Sequence, residues 1–112
     1  MSCLFCRIVA GEIPADVVHE TERTLAFRDV SPQAPTHVLV VPRQHHADLA
    51  ALTEADPSYA VEVIAAAVAV ARSEGLTGGY RLVANTGDDG GQTVDHLHVH
   101  VLGGRALGWP PG

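Results

Sequence analysis

Three histidines alternate with apolar residues in the stretch from His96 to Leu102. Successive side chains of an extended strand point to opposite faces, so the pattern predicts His96, His98 and His100 on one face and core residues on the other. Neighbouring histidines would lie roughly 6–7 Å apart, so that two imidazoles could contact one small tetrahedral group. A single strand histidine is usually an ordinary, partly buried side chain. Three on one face would repel one another when charged, and they indicate metal ligation or phosphate chemistry instead.

The composition limits the partners of such a site. The chain has 112 residues, the size of a single domain, and residues 1–112 are expected to form one unit. Its formal net charge is −6, and its seven basic residues are all scattered arginines. A nucleic-acid partner is not expected, because duplex binding draws on a basic surface. An anionic substrate would have to be bound locally, by backbone N–H groups, hydroxyls and histidines.

The chain start and its cysteines indicate the compartment. The first seven residues, Met1–Arg7, show no signal-peptide pattern, so we expect a cytoplasmic protein. A lasting disulfide between Cys3 and Cys6 is not expected there, which leaves packing, redox chemistry or a metal. The apolar run Val61–Ala71 has only eleven residues. It is too short to span a bilayer and predicts a buried helix, so we expect no membrane partner.

The elements that position the histidines follow from periodicity and from breaking residues. A short helix or turn over 3–11 and one helical turn over 48–52 accompany a main helix over 57–73, with Asp56 as N-cap and Pro57 in the first position. Strands are predicted over 16–20, 24–28, 37–41, 80–85 and 96–102. This order gives an α+β fold, a mainly antiparallel five-stranded sheet with one long helix. Because the middle of that helix is apolar nearly all round, we also expect a homodimer.

A glycine-rich loop, Thr86–Thr93, leads directly into the histidine strand. Glycines allow backbone N–H groups to turn toward an anion, as in phosphate-binding nests. Such a loop alone is more often a flexible turn. Beside three histidines it supports a phosphate site.

The pattern His-φ-His-φ-His-φ-φ, in which φ is an apolar residue, resembles the signature of the histidine triad (HIT) nucleotide-binding family. The resemblance extends over almost the whole chain, through the stretches 26–37, 89–92, 102–105 and 109–112. The last of these is similar to the Hint branch, the purine nucleoside phosphoramidases, more than to the dinucleoside polyphosphate hydrolases or the nucleotidyl transferases. The resemblance implies a HIT-like fold whose sheet pairs into a continuous sheet across a homodimer.

The same resemblance implies hydrolysis of a purine nucleoside 5′-phosphoramidate of the adenosine 5′-monophosphoramidate type, or a GMP analogue, to a nucleoside monophosphate and an amine. His98 would be the nucleophile that forms a nucleotidyl-histidine intermediate. His100 and His37 would hold phosphate oxygens or shuttle protons, and Thr93 would offer its hydroxyl. The implied substrate-binding residues are Phe5, Ile8, Phe27, Asp29, Val30, Asn85, Gly91, Thr93, Val94, His98, His100 and, from the partner subunit's side, Trp109.

The Cys-x-x-Cys spacing of Cys3 and Cys6 is compatible with zinc, but by itself it describes a packed, reduced pair equally well. The resemblance implies one structural Zn²⁺ bound by Cys3, Cys6, His45 and His96, with His46 as a competitor for the third place. Four protein ligands would leave no open position, so this zinc would not enter catalysis. No organic cofactor is expected.

Two residues depart from the Hint pattern. Thr93 stands where serine is usual, and its extra methyl restricts χ1. Asp95 replaces a commonly aromatic residue; alternation predicts that it points away from the histidine face, and we expect it to face solvent or to be paired. Two other functions stay open at this point, namely a nucleotide-binding or interaction module without turnover, and a hydrolase of dinucleoside polyphosphates.

Overall fold

A five-stranded antiparallel sheet with helices on both faces forms the protein in the computed structural model, which describes residues 3–112. The strands lie side by side in the order β1-β2-β3-β5-β4, so the last strand in the chain lies inside the sheet. The elements are α1 (Leu4–Val9), β1 (Val17–Glu20), β2 (Thr24–Arg28), β3 (Thr36–Pro42), α2 (Leu49–Ala55), α3 (Pro57–Ser73), β4 (Tyr80–Val83) and β5 (Val99–Gly103). The predicted α+β architecture is confirmed.

One face of the sheet is a dry apolar core beneath α3. The pairing of Val38 with Val101 and of Val40 with Val99 places these four side chains on this face, and each is at most 1% exposed. From α3 they meet Ala60, Val63, Ala66, Ala67, Val70 and Ala71. Small alanines allow the helix to approach the sheet closely, and this layer is the main source of hydrophobic stabilisation.

The opposite face is covered by the short helix α1. Phe5 of α1 packs with Leu25, Phe27, Leu39 and Val41 of the sheet in a second, smaller apolar cluster. The Phe5 and Phe27 rings meet edge to face, with centroids 5.6 Å apart. Since α1 has only six residues, it leaves part of this face uncovered.

Local signals explain the helix boundaries. The Asp56 carboxylate accepts a hydrogen bond from the Tyr59 N–H at 3.2 Å, and Pro57 occupies the first turn, so α3 has the predicted bounds. The Asp48 side chain caps α2 in the same way, through the Ala51 N–H at 2.8 Å. This cap extends the predicted single turn to the seven residues of α2. Within residues 3–112, no helix combines the length and the apolarity needed to cross a membrane.

Part of the apolar surface of α3 faces outward. Val61 is 68% exposed and Ile64 is 38% exposed, and together with Leu49 and Pro57 they line a groove between α2 and α3. The sheet therefore covers only one side of α3. The nearly all-round apolar composition of the helix indicates that a second surface packs against the other side. The partner that the sequence predicts for this surface is a second copy of the chain.

The predicted histidine strand is shorter than its sequence pattern. Strand β5 begins at Val99, so His96, Leu97 and His98 precede it in an irregular segment. There the Leu97 N–H donates to the carbonyl of His46 at 2.7 Å, which ties the segment to the loop after β3. The expected length of the strand is therefore wrong, but the predicted alternation is confirmed. Leu97, Val99 and Val101 lie in the core beneath α3. His96 and His98 contact Phe5 on the opposite face, where His100 lies beside His98. Strand β4 likewise ends at Val83 rather than at residue 85.

Candidate active site

A cavity of about 830 Å³ opens on the sheet face that α1 covers. Its walls come from α1, the 13–16 segment, β2, the residues after β2 and the segment that leads into β5. Most of the wall is apolar, and its polar side chains are Asp16, Arg28, Asp29, Thr93, His98 and His100. An apolar pocket with a few convergent polar groups is typical of a small-molecule site.

Nine of the predicted substrate-binding residues line this cavity, and they are Phe5, Ile8, Phe27, Asp29, Val30, Thr93, Val94, His98 and His100. The structure does not bring the other three to its wall. Asn85 is half-buried, Gly91 is exposed in its loop, and Trp109 is 83% exposed near the chain end. The sequence did not single out seven further lining residues, Leu4, Ile13, Pro14, Ala15, Asp16, Arg28 and Leu39. Leu39 could have been found from strand pairing, because it lies directly across from Phe27.

His98 is oriented by the backbone immediately before it. Its Nδ1 lies 2.8 Å from the carbonyl oxygen of His96, and since a carbonyl only accepts, Nδ1 carries the proton. In the neutral form of the ring, the lone pair therefore lies on Nε2. The ring is 7% exposed and meets the edge of Phe5 with centroids 5.0 Å apart. This arrangement provides a fixed, unprotonated nitrogen of the kind that nucleophilic catalysis requires.

His100 lies beside His98 and contacts His37 across two strands. The His98 and His100 ring centroids are 5.1 Å apart, and the His37 Nε2 is 2.9 Å from the His100 Nδ1. Burial, followed by the neighbouring His98 and His37, lowers the pKa of His100 to about 4. Burial also lowers the pKa of His37, although Asp29 opposes that shift. Both rings are therefore neutral at pH 7.

The Asp29 carboxylate lies at the cavity wall, and each of its two oxygens has a neighbour in the protein. Its Oδ1 accepts a hydrogen bond from the Ser31 N–H at 2.8 Å, and its Oδ2 is 3.4 Å from the His37 Nε2. The carboxylate thus lies between the turn after β2 and the histidine pair. It retains acceptor capacity for hydroxyl groups, because a carboxylate offers about four lone-pair positions.

The loop before the histidines is closed by its own hydrogen bonds. The Gly91 N–H donates to the carbonyl of Asp88 at 3.0 Å and the Gln92 N–H to that of Gly87 at 3.1 Å, so these amides stabilise the turn. The Gln92 side-chain amide donates to the carbonyl of Ala47 at 2.6 Å, which joins this loop to the one after β3. In the sequence, Gln92 belongs to the 89–92 stretch of the family resemblance, and no local signal predicts this contact.

Cys3, Cys6, His45 and His96 form a second cluster beside the cavity. Their ligand atoms all lie within 4.8 Å of one another, and three sulfur-to-nitrogen separations are 3.4, 3.4 and 3.5 Å. Tetrahedral zinc with its ordinary bond lengths holds sulfur and nitrogen ligands about 3.5 Å apart. The His96 Nε2–H donates to the carbonyl of Pro42 at 2.9 Å, which leaves Nδ1 free to face the thiols. The residues therefore fit a zinc ion.

The two adjacent histidines after β3 point in different directions. The His45 Nδ1 lies 3.4 Å from the Cys6 sulfur, whereas the His46 ring packs edge to face against Tyr59 with centroids 5.8 Å apart. The competition between these histidines for the cluster is thus decided in favour of His45. Asp95 is exposed, in agreement with the expectation that it faces solvent.

The site as a whole combines a histidine with a free Nε2, a neutral histidine pair, a carboxylate and an apolar cavity. These parts define a class of site that can bind a flat apolar group with a polar tail and attack that tail covalently.

Comparison with known proteins identifies the family. A family model described as the HIT domain matches residues 10–107. The chain is 53% identical over 109 residues to an uncharacterised HIT-like protein of Synechococcus elongatus, covering 97% of this chain and 96% of that protein. It is 47% identical over 113 residues to a 14 kDa zinc-binding protein of Zea mays, covering 97% and 87%. A HIT family hydrolase from Legionella pneumophila Philadelphia 1 superimposes with a TM-score of 0.95 at 49% identity, over 99% of this chain and 100% of that one. The chain belongs to the HIT domain family.

Proposed function

We propose that this protein is a hydrolase of the Hint branch that cleaves purine nucleoside 5′-phosphoramidates. The observation that carries the proposal is the orientation of His98, whose Nδ1–H donates to the His96 carbonyl and leaves Nε2 as a nucleophile at the wall of an apolar cavity. The name of the Legionella relative, a HIT family hydrolase, supports the reaction type.

The reaction would proceed in two displacements. In the first, the His98 Nε2 forms a bond to the α-phosphorus, the P–N bond breaks, and the amine leaves after gaining a proton from solvent. In the second, a water oxygen attacks the same phosphorus, the bond to His98 breaks, and the nucleoside monophosphate leaves as the water proton passes to solvent or a neighbouring base. Splitting one difficult displacement into two is the advantage of a covalent intermediate. His100, His37 and Thr93 would hold the phosphate oxygens or move protons.

The cavity suits the remainder of a purine nucleotide. Apolar side chains from α1 and β2, among them Phe5, Ile8 and Phe27, offer surfaces for a flat base. Asp29 retains acceptor capacity for the ribose hydroxyls. Asn85 and Gly91 do not line the cavity, and the family resemblance alone supports their proposed places near the phosphate. Trp109 would act at the partner subunit's site.

The decisive experiment compares substrates. The protein is incubated with adenosine 5′-phosphoramidate and, separately, with diadenosine polyphosphates, and nucleoside monophosphate is measured. Turnover of the phosphoramidate with slower cleavage of the polyphosphates is expected. Faster polyphosphate cleavage would identify a dinucleoside polyphosphate hydrolase instead. Binding of AMP or GMP without turnover of either substrate would leave a nucleotide-binding or interaction module.

Cys3, Cys6, His45 and His96 would hold a structural Zn²⁺. The ligand geometry supports this, as does the similarity to the 14 kDa zinc-binding protein of maize. Bound zinc would supply a cross-link between the N-terminus and the histidine segment, without an open position for chemistry. Elemental analysis of protein purified without chelator should give about one equivalent, and Cys3→Ser and Cys6→Ser variants should lose it. Less than about a tenth of an equivalent in the intact protein would exclude the site.

We further propose a homodimer formed through α3 and an open sheet edge. Strand β4 lies at the edge of the sheet and has unpaired backbone groups, and Val61 and Ile64 are exposed on α3. Burial of this surface contributes about 25 cal/mol per Å² of apolar area. Light scattering at micromolar concentration should show a dimer, and Ile64→Glu should shift it toward monomer while the exposed control Glu54→Gln should not. A stable wild-type monomer would refute the proposal.

Cys3 and Cys6 are free thiols in the structure. Free thiols suit a reducing compartment, which supports a cytoplasmic location.

A further inference from the structure

The ring of His37 receives a hydrogen bond from a backbone amide. The Gln33 N–H lies 3.0 Å from the His37 Nδ1. An amide N–H can only donate, so Nδ1 of His37 must present its lone pair. A neutral imidazole carries one proton, which then lies on Nε2.

The position of that proton determines the next ring. The His37 Nε2–H has the His100 Nδ1 as its nearest acceptor at 2.9 Å, with the Asp29 carboxylate as a second acceptor at 3.4 Å. His100 must therefore present a lone pair at Nδ1. Because burial keeps the pKa of His100 near 4, this ring also carries one proton, on Nε2.

The turn that supplies the Gln33 amide is fixed from the end of β5. The Arg105 guanidinium donates through Nη2 to the carbonyl of Gln33 at 2.9 Å. Gly104 has φ +92°, and a Cβ built on it would lie 2.8 Å from the Pro35 Cβ, so only glycine allows the two segments to approach this closely. Gln33 is thus held at its carbonyl oxygen by Arg105, while its own N–H faces His37.

We propose that the Gln33 backbone N–H, held in place by Arg105, sets the tautomers of both His37 and His100, so that His100 presents an Nε2–H donor beside the lone pair of His98. The inference deepens the proposed function and rests on it for the role of this donor. His98 and His100 would then have opposite tautomers. One nitrogen attacks phosphorus, and the other N–H stabilises the charge on a phosphate oxygen.

This assignment of tautomers decides whether His100 binds a phosphate oxygen or transfers a proton. If His100 gave its Nε2 proton away, His37 could replace it from its own Nε2, but the Gln33 amide could not replace the proton on His37. The chain of hydrogen bonds therefore ends at a donor that keeps its proton. His100 is accordingly a hydrogen-bond donor to the phosphate and not an acid for the leaving amine.

The same tautomers exclude a metal at a site whose composition would otherwise suit one. Ligand atoms of Asp29, His37 and His100 lie within 4.8 Å of one another, and two histidines with one carboxylate can ligate a divalent metal. A metal bound at the His37 Nε2 would require the proton on Nδ1, where it would face the Gln33 N–H. Two donors cannot share that contact, so the amide selects against metal.

Long-range ¹H–¹⁵N correlation spectra of ¹⁵N-labelled protein at about pH 7, without substrate, test the inference. In the wild type, His37 and His100 should show protonated Nε2, and His98 protonated Nδ1. Gln33→Ala keeps the N–H and should retain both tautomers. Gln33→Pro removes the N–H and should give mixed tautomers of His37 and His100. With phosphoramidate, kcat/KM of Gln33→Pro should be about 10- to 100-fold below that of Gln33→Ala, as expected for a lost hydrogen bond to a charged group.

Protonated Nδ1 on wild-type His100, or tautomers that persist in a folded Gln33→Pro variant, would overturn the inference. If Gln33→Pro fails to fold, the wild-type spectrum and Arg105→Met decide it, since Arg105→Met should broaden or shift the His37 signals. Zinc is added as a separate probe, and a second equivalent that perturbs His37 and His100 would also overturn it. Because these spectra need no substrate, correct tautomers in a protein that does not cleave phosphoramidate would refute the proposed function alone.

Discussion

The two faces of the sheet are built from the same strands but are finished differently. Beneath α3, Val99 and Val101 of β5 are at most 1% exposed. They pack against α3, a continuous helix of seventeen residues. On the other face, His100 of the same strand lines the cavity beside the six-residue helix α1. Alternation along one strand thus joins a closed core to an open site. The apolar core beneath α3 supplies most of the stability. The open face carries the polar groups on strands that this core keeps rigid.

Removal of the proposed nucleophile should have the largest effect and should be confined to the open face. His98→Ala is expected to lower phosphoramidate turnover by at least about 10³-fold, because the covalent route is lost. Nucleotide binding should be largely retained, since the apolar walls are unchanged. His19→Ala, a half-buried histidine on β1 outside the cavity, is the matched control. Turnover of His98→Ala within a few-fold of wild type would show that another group is the nucleophile.

A substitution that creates a cavity in the closed face should lower stability and leave turnover unchanged. Leu52 of α2 is fully buried in the cluster with α3, and Leu52→Ala should lower the free energy of unfolding by about 2–5 kcal/mol. Urea denaturation measures this loss, and Glu22→Ala, an exposed substitution, should stay within about 0.5 kcal/mol of wild type. The turnover number of folded Leu52→Ala protein should remain near that of wild type. A large fall in turnover at full folding would mean that the two faces are coupled more tightly than the geometry indicates.

The buried histidines of the open face should make stability depend on pH. His100 has a pKa of about 4 when folded and about 6.5 when unfolded, so between these values the unfolded chain binds more protons. The free energy of unfolding should therefore fall as the pH is lowered through this window, by on the order of 3 kcal/mol from this residue, and then level off. His37 acts in the same direction, because burial lowers its pKa too.

Comparing the wild type with His100→Asn by urea denaturation at about pH 7 and about pH 4.5 isolates this contribution. The wild type should lose more stability over the interval than the variant does. An equal loss in both proteins would mean that His100 titrates normally in the folded state.

Local sequence signals predicted the closed face well. The N-cap Asp56 and the following Pro57 specify where α3 begins, and the β-branched run of β3 marks a central strand. These features depend on neighbours in sequence, so pattern and propensity suffice. The α+β sheet then follows from the order of its elements.

The open face depends on contacts between distant residues, and here the sequence was less informative. His37 and His100 are 63 positions apart, and Arg105 meets Gln33 across 72. The Leu97 N–H donates to the His46 carbonyl and ties the histidine segment to the loop after β3, a contact that no periodicity indicates. The family resemblance supplied the roles of His98 and of the Cys/His cluster, and those roles stay proposals until tested.

The smallest expected effect concerns Thr93, which lines the cavity but is exposed. Its hydroxyl can serve the phosphate as a serine hydroxyl would, while its methyl restricts χ1 and narrows the adjacent space. Thr93→Ser should leave turnover of a phosphoramidate with ammonia as leaving group unchanged, and should improve kcat/KM for a bulky amine by about threefold, less than a methyl changes in a closed apolar pocket. Thr93→Val keeps the branched shape but removes the hydroxyl, and it should slow both substrates about equally. Equal rates for Thr93→Ser on both substrates, relative to wild type, would show that the methyl faces away from the leaving group. The open face would then select substrates by its hydrogen bonds and not by the width of its cavity.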